Sequence, residues 1–154
     1  MGIEIERKFL VLNDDWKQEG QASFLCQGYI SAEPGRIVRV RIDGDQARLT
    51  IKGLASGLTC GEWEYPIPLS DAKSLLEHVC QRPLIEKNRY RIARDGLIWE
   101  VDEFFGKNAG LVVAEVELTS EEQEFVRPSW LGEEVSQDRR YANANLLKHP
   151  YCHW

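Results

Sequence analysis

Apolar and charged residues alternate with a period of two along most of this chain. Residues 3–11, 36–43, 46–52, 61–67, 86–93, 97–104 and 112–118 each switch between an apolar side chain, often Val, Ile, Tyr or Trp, and a charged one. That is the periodicity of a β-strand with one face on a core. Asp43-Gly44-Asp45 and Arg94-Asp95-Gly96 supply the turn chemistry of hairpins. The glycine-rich run 53–61 predicts a mobile loop. Helical spacing is scarcer. Ser70 to Arg82 puts Leu75, Leu76 and Val79 on one face, with Ser70 as cap and Pro83 as stop. Thr119-Ser120-Glu121-Glu122 reads as a capping box opening a short helix before Pro128. Gln137 to Lys148 predicts a further helix, and Asn13 to Lys17 a turn. No fixed repeat and no Pro/Ser/Gly-rich linker divides the chain, so residues 1–154 read as one α+β domain.

The polar faces are unusual in what they carry. Residues two apart share a face, which groups Glu4, Glu6 and Lys8; Arg39 and Arg41; Arg48, Thr50 and Lys52; Glu62 and Glu64; Lys87, Arg89 and Arg91; Glu100 and Asp102; Glu115 and Glu117. A sheet face in water mixes Ser, Thr, Asn and Gln with its charges. Here the positions are almost wholly carboxylate or cation, and the signs are sorted by strand. Two architectures fit: an open sheet with a solvated face, or a sheet rolled into a barrel with the charges inside. Periodicity leaves that choice open.

Composition narrows the setting. A chain of 154 residues suits one domain with a working core. A net charge of −6 argues against a general nucleic-acid surface. Glu4, Glu6, Arg7 and Lys8 interrupt any apolar start, and no apolar run reaches membrane-spanning length. The four cysteines lie far apart without a Cys-x-x-Cys pair, which reads as reduced thiols in the cytoplasm. Neither nucleic acid nor membrane is an expected partner.

Paired carboxylates offer the hard oxygen ligands that Mg²⁺ or Mn²⁺ prefer, and arginine and lysine pairs clamp phosphate oxygens. Phosphoryl transfer needs chiefly those two things. Glu4-Ile5-Glu6-Arg7-Lys8 resembles the Glu-x-Glu-x-Lys signature of the CYTH superfamily, the triphosphate tunnel metalloenzymes. The later elements follow in family order: Arg39-Val40-Arg41, Thr50-Ile51-Lys52, Glu62-Trp63-Glu64, Lys87-Asn88-Arg89, Glu100-Val101-Asp102 and Glu115-Val116-Glu117. Tyr141-Ala142-Asn143 with Lys148 resembles the C-terminal helix that closes one tunnel end. Tyr29, in Gln27-Gly28-Tyr29, resembles a position of the short bacterial members.

The resemblance covers essentially the whole chain. It implies a closed antiparallel eight-stranded β-barrel with a few flanking helices, enclosing a triphosphate. Lys8, Arg39, Arg41, Lys52, Arg89 and Lys148 would bind phosphates. Glu4, Glu6, Glu62, Glu64, Asp102, Glu115 and Glu117 would hold metal or the attacking water. Inorganic tripolyphosphate, cleaved to pyrophosphate and phosphate, is the expected substrate. Thiamine triphosphatase, nucleoside triphosphatase, class IV adenylate cyclase and a non-catalytic polyphosphate-binding module stay open, as does a homodimer. If the barrel closes, Lys87 should lie among Arg39, Arg41, Arg89 and Arg91. Those cations would lower its pKa, making it a general base helped by the Tyr29 hydroxyl, or else a further phosphate clamp.

Other features carry less. His149, Cys152 and His153 lack zinc-site spacing, Gly53, Gly57 and Gly61 form no Walker loop, and Trp16 and Trp130 read as core.

Overall fold

The computed structural model describes residues 2–154. In chain order the elements are β1 (Gly2–Val11), β2 (Ala22–Glu33), β3 (Arg36–Asp43), β4 (Gln46–Ser56), β5 (Thr59–Pro66), α1 (Leu69–His78), β6 (Ile85–Arg94), β7 (Leu97–Phe104), β8 (Val112–Glu117), β9 (Leu131–Glu134) and α2 (Asn143–Lys148). Strands pair antiparallel in the order β5-β4-β3-β2-β6-β7-β8-β1, and β1 returns to β5, which closes an eight-stranded barrel. The closure divides β1. Gly2 to Ile5 pair with β5, while Phe9 and Val11 pair with β9. On its other edge Glu6 to Phe9 pair with β8. Such an offset between the two edges is the stagger that rolling a twisted sheet into a barrel requires.

The apolar faces point outward, and much of their surface is covered, although Ile3, Phe24, Ile51 and Tyr65 stay exposed. Phe9, Trp99, Val101, Val116, Trp16 and Trp130 form one cluster, and both Trp16 and Trp130 have no exposed surface, as expected of core residues. Over β3 and β4, α1 lays Ala72 and Leu76 on Val40 and Ala47. The inner faces change character along the strands. Towards one end, Ile85, Phe104 and Val113 occupy the inward positions next to Lys87, Asp102 and Glu115. These apolar residues pack with Tyr29, Tyr141, Leu146 and Leu147 of the α2 region. One end of the barrel is therefore an apolar floor and the rest is charged.

Several expected elements differ. The 53–61 run is not a loop: β4 continues to Ser56 and β5 begins at Thr59, joined through Gly57 at φ +61°, a left-handed turn position suited to glycine. No helix follows Thr119. Glu121 accepts from the Leu58 amide at 2.6 Å, and Gln123 accepts from Thr119, so these side chains tie down loops instead of capping a helix. Ser70 is not the cap of α1, which starts at Leu69 after Pro68 and ends at His78, short of Arg82. The span 137–148 breaks at Ala142, which is extended, leaving a 3-10 turn over Arg139–Tyr141 and then α2. β2 and β9 are strands that the charge alternation did not mark. Among the described residues, no helix is long and apolar enough to cross a membrane.

Candidate active site

Closure gathers the seven charged faces into one cavity of about 490 Å³, within the ~300–1,000 Å³ range usual for small-molecule sites. Its wall carries Glu4, Glu6, Glu62, Glu64, Glu100, Glu115 and Glu117 together with Lys8, Arg39, Arg41, Lys52, Lys87, Arg89 and Arg139. Carboxylates and cations thus balance. Tyr29, Asn143, Asn145 and Cys60 add uncharged polar groups to the lining.

The barrel register sets which charges meet. Some inward neighbours are matched: Lys8 faces Glu115, Lys52 faces Glu62, and Arg89 faces Asp102. Others are like charges directly opposite: Glu6 against Glu117, Glu100 against Glu115, and Arg41 against Arg48. Cross-strand like charges destabilise a sheet by up to about 1 kcal/mol, so these pairs disfavour folding and call for another reason.

The acidic side of the tunnel is crowded. Lys52 Nζ lies 2.8 Å from Glu4 and 3.8 Å from Glu62. Burial raises the Glu4 carboxyl, yet Lys52 and a hydrogen bond from Glu62 hold it at about 2. Glu62 goes the other way, to about 7, through burial and then the Glu4 carboxylate beside it. Burial also raises Glu6, reinforced by Glu115 and Glu4, and raises Glu117, reinforced by Glu4 and Glu100. Burial raises Glu115 too, but Lys8, 3.8 Å away, together with Arg89 and Lys87 more than offsets it and holds this carboxyl low.

A divalent ion fits this donor set. The oxygens are hard, and protons held above their ordinary range are what a cation would displace. Among the described residues no three acidic, His or Cys side chains converge at metal-holding distance. The arrangement suits a largely hydrated ion shared with a phosphate, the usual habit of Mg²⁺, and not a closed protein cage.

The crowding has a measurable consequence. A carboxyl whose folded pKa exceeds its unfolded value of 4.5 favours the fold below 4.5, and that favour is lost as pH rises to the folded value. For Glu62 the window is about 4.5 to 7. Glu4, depressed to about 2, contributes above 4.5 and loses its contribution below it. The metal-free protein should therefore melt highest near pH 5 and lower at pH 7.5. Added Mg²⁺ should recover stability at pH 7.5 far more than at pH 5. A melting temperature that climbs from pH 5 to 7.5 without metal would contradict the crowding.

Among the described residues two cations of the lining, Arg41 and the exposed Arg139, have no ion-pair partner. By contrast, Arg39 lies 3.7 Å from Glu64 and Arg89 chelates Asp102 at 2.7 and 2.9 Å. Burial, then Arg39 and Arg89, lowers Arg41 to about 10, so it stays charged at neutral pH. It is a guanidinium prepared for an anion.

Lys87 sits on the floor with 1% of its surface exposed. Its Nζ contacts Asp102 Oδ2 at 2.8 Å and Asn143 Oδ1 at 2.9 Å. Its pKa falls to about 8 chiefly through burial, which Asp102 opposes and Arg89 assists. The expected surround of four arginines does not hold. Arg91 faces a second cavity beside the β3–β4 turn, where it binds Asp43 at 2.8 Å.

Two other expected site residues lie elsewhere. Asp102 is fully buried, held well below the usual carboxylate range by Lys87 and Arg89 against the effect of burial, and does not line the cavity. Lys148 donates to the Ala32 carbonyl at 3.2 Å and also stays outside it. Asp102 is engaged by its ion pairs with Lys87 and Arg89, and Lys148, the last residue of α2, by the Ala32 carbonyl. Glu4, Glu6, Lys8, Tyr29, Arg39, Arg41, Lys52, Glu62, Glu64, Lys87, Arg89, Glu115 and Glu117 all line it. Arg139 joins them from a turn, where no alternation marked it.

Comparison with known proteins gives the same picture. The family model described as the CYTH domain matches residues 2–151. The chain is 47% identical over 151 residues to an inorganic triphosphatase of Acetivibrio thermocellus, covering 98% of this chain and 97% of that one. It is 37% identical over 147 residues to an inorganic triphosphatase of Nitrosomonas europaea, covering 93% and 95%. A crystal structure of an inorganic triphosphatase superposes with a TM-score of 0.67 at 35% identity, over 93% of this chain and 96% of that one. A putative adenylate cyclase from Bacillus halodurans shares the fold, with a TM-score of 0.62 at 21% identity over 79% and 84% of the two chains. The short Glu-x-Glu-x-Lys strand is thus one part of a pattern that runs the length of the barrel, and this chain belongs to the CYTH domain family.

Proposed function

We propose that this protein hydrolyses inorganic tripolyphosphate to pyrophosphate and phosphate within its barrel, using Mg²⁺ or Mn²⁺. The observation that carries this reading is the cavity inside the closed barrel, whose lining holds carboxylates and cations in equal number. With every carboxylate ionised such a wall would carry no net charge to hold a polyanion tightly, and a divalent ion carried in with the substrate would supply positive charge. The relatives called inorganic triphosphatases make tripolyphosphate the first choice of substrate. The four cysteines are all unpaired, which fits a reducing cytoplasm.

In this reading Lys8, Arg39, Arg41, Lys52 and Arg89 hold phosphate oxygens. Glu4, Glu6, Glu62, Glu64, Glu115 and Glu117 hold the metal or orient water. The bound ion would neutralise charge developing on the phosphoryl oxygens. Water adds to a terminal phosphorus, the bridging P–O bond breaks, and pyrophosphate leaves. Lys87 takes the proton of that water. A neutral amine has two N–H groups, and Asp102 and Asn143 accept both, so the lone pair remains for the water.

Phosphate release from tripolyphosphate, pyrophosphate, ATP and thiamine triphosphate, with Mg²⁺ or Mn²⁺, tests the proposal. Tripolyphosphate should be cleaved fastest. Pyrophosphate should be poor because it cannot span the cation clamp and the acidic side together. ATP turnover equal to or faster than that of tripolyphosphate would overturn the substrate, and activity that survives excess chelator would overturn the metal dependence.

A further inference from the structure

Gln27 lies within β2, on the inner face of the barrel, with none of its surface exposed. Its Nε2 donates to Tyr29 Oη at 3.1 Å and to Asn143 Oδ1 at 3.2 Å. That same Oδ1 accepts from Lys87 Nζ at 2.9 Å. A chain of hydrogen bonds thus runs from the ion pair on the floor to a phenol on the tunnel wall.

Each link fixes the next. Lys87, held between two acceptors, donates to both, so Asn143 presents its oxygen and not its amide nitrogen. The second approach to that oxygen comes from Gln27, which must meet it with NH₂. A reversed amide would set oxygen against oxygen. The other hydrogen of that NH₂ goes to Tyr29 Oη, which accepts. The hydroxyl proton of Tyr29 is then unused by the network, and Tyr29 lines the cavity.

The glutamine is poorly served by this arrangement. Its Oε1 is buried with no hydrogen-bond partner. An unsatisfied buried acceptor destabilises a fold, and a methionine would fill similar space without one. A residue present only for packing would have little reason to be glutamine.

We propose that Gln27 is a positioning residue that fixes Tyr29 as a hydrogen-bond donor to a phosphate oxygen of the substrate. The inference rests on the triphosphate reading above and refines it. A phenol that accepts from Gln27 while donating to substrate is not available to take the proton of water, which leaves that role to Lys87 alone. Across the strand pair Tyr29 stands opposite Arg39, so hydroxyl and guanidinium would act on neighbouring phosphate oxygens.

Binding of inorganic tripolyphosphate to the metal-free protein by calorimetry, together with kcat/KM on the metal-loaded enzyme, tests this for Gln27→Met, Tyr29→Phe and the double variant. A lost hydrogen bond to a charged oxygen weakens binding about tenfold or more. Each single variant should show that loss, in both affinity and kcat/KM. The double variant should lose no more than the weaker single, because both changes remove one donor. Gln27→Met should melt no lower than the wild type. Wild-type affinity in Gln27→Met, or losses that multiply in the double variant, would overturn the proposal. If Gln27→Met fails to fold, Gln27→Glu serves: its carboxylate accepts the phenol proton and draws it from the tunnel, so wild-type affinity there is equally fatal. Wild-type cleavage is followed alongside, so failure of the hydrolytic reading registers separately.

Discussion

Glu6→Gln should lower kcat on the order of 10²–10³-fold, the usual effect of removing one preorganised electrostatic group, while raising the melting temperature at pH 7.5. The two effects have one origin. Glu6 stands opposite Glu117 and near Glu115 and Glu4, and its carboxyl is pushed well above the ordinary range by burial and then by those neighbours. Neutralising it removes a cross-strand repulsion of about 0.2–1 kcal/mol, or roughly 0.4–4 °C in a chain this long. Glu117→Gln should behave alike. Glu4→Gln should match the kinetic loss and reverse the stability effect, because Glu4 is the 2.8 Å partner of Lys52. Arg41→Ala should raise KM at least as strongly as it lowers kcat, since it grips phosphate in ground and transition states alike. Steady-state kinetics and thermal melts of the four variants decide the matter. Near-normal kcat in all the glutamine variants would mean the carboxylates merely line a wet interior.

Lys87→Arg should lose about 10²–10⁴-fold in kcat, the span associated with a general base, with KM little changed. Arginine keeps the positive charge opposite Asp102 but does not deprotonate in a protein. With Lys87 lowered to about 8, the neutral form grows as pH rises, so wild-type kcat should increase through pH 8 and level off above it. The Lys87→Arg profile should lack that rise. If Lys87 is instead a phosphate clamp, the variant keeps most of its activity. A vigorous Lys87→Arg enzyme with an unchanged pH profile would remove this lysine from proton transfer.

Much of the barrel was legible because its inner face is charged. Where inward positions carry Glu, Asp, Lys or Arg, alternation with Val, Ile and Trp marks strand and face together, as in β1, β3, β7 and β8. β2 escaped because its inward residues are Leu25, Gln27 and Tyr29, which carry no charge to alternate. Its Gly28 is explained only by packing, since a Cβ there would meet Cys80 and Leu84 at 2.8 Å. β9, four residues long, is defined by its pairing with β1 and not by a pattern of its own. Thr119 to Glu122 satisfied the rule for a helix start, yet Glu121 is engaged by the β4–β5 turn 63 residues away. Local chemistry gave way there to a tertiary partner.

The residue types facing inward, their order and their sorting by strand belong to the amino-acid sequence itself, because side-chain direction in a strand follows from position alone. Which of those charges meet does not. Glu4 at about 2 and Glu62 at about 7 are both glutamates on strand faces with similar sequence surroundings. Only the closure of β1 onto β5 brings them together beside Lys52. Asp102 and Glu100 likewise share a face two residues apart, but Asp102 lies nearer the apolar floor, where Lys87 and Arg89 enclose it, while Glu100 lines the cavity. Strand geometry is a local property, whereas burial, pairing and proton affinity depend on distances between segments far apart in the chain, and those distances exist only once the barrel has closed.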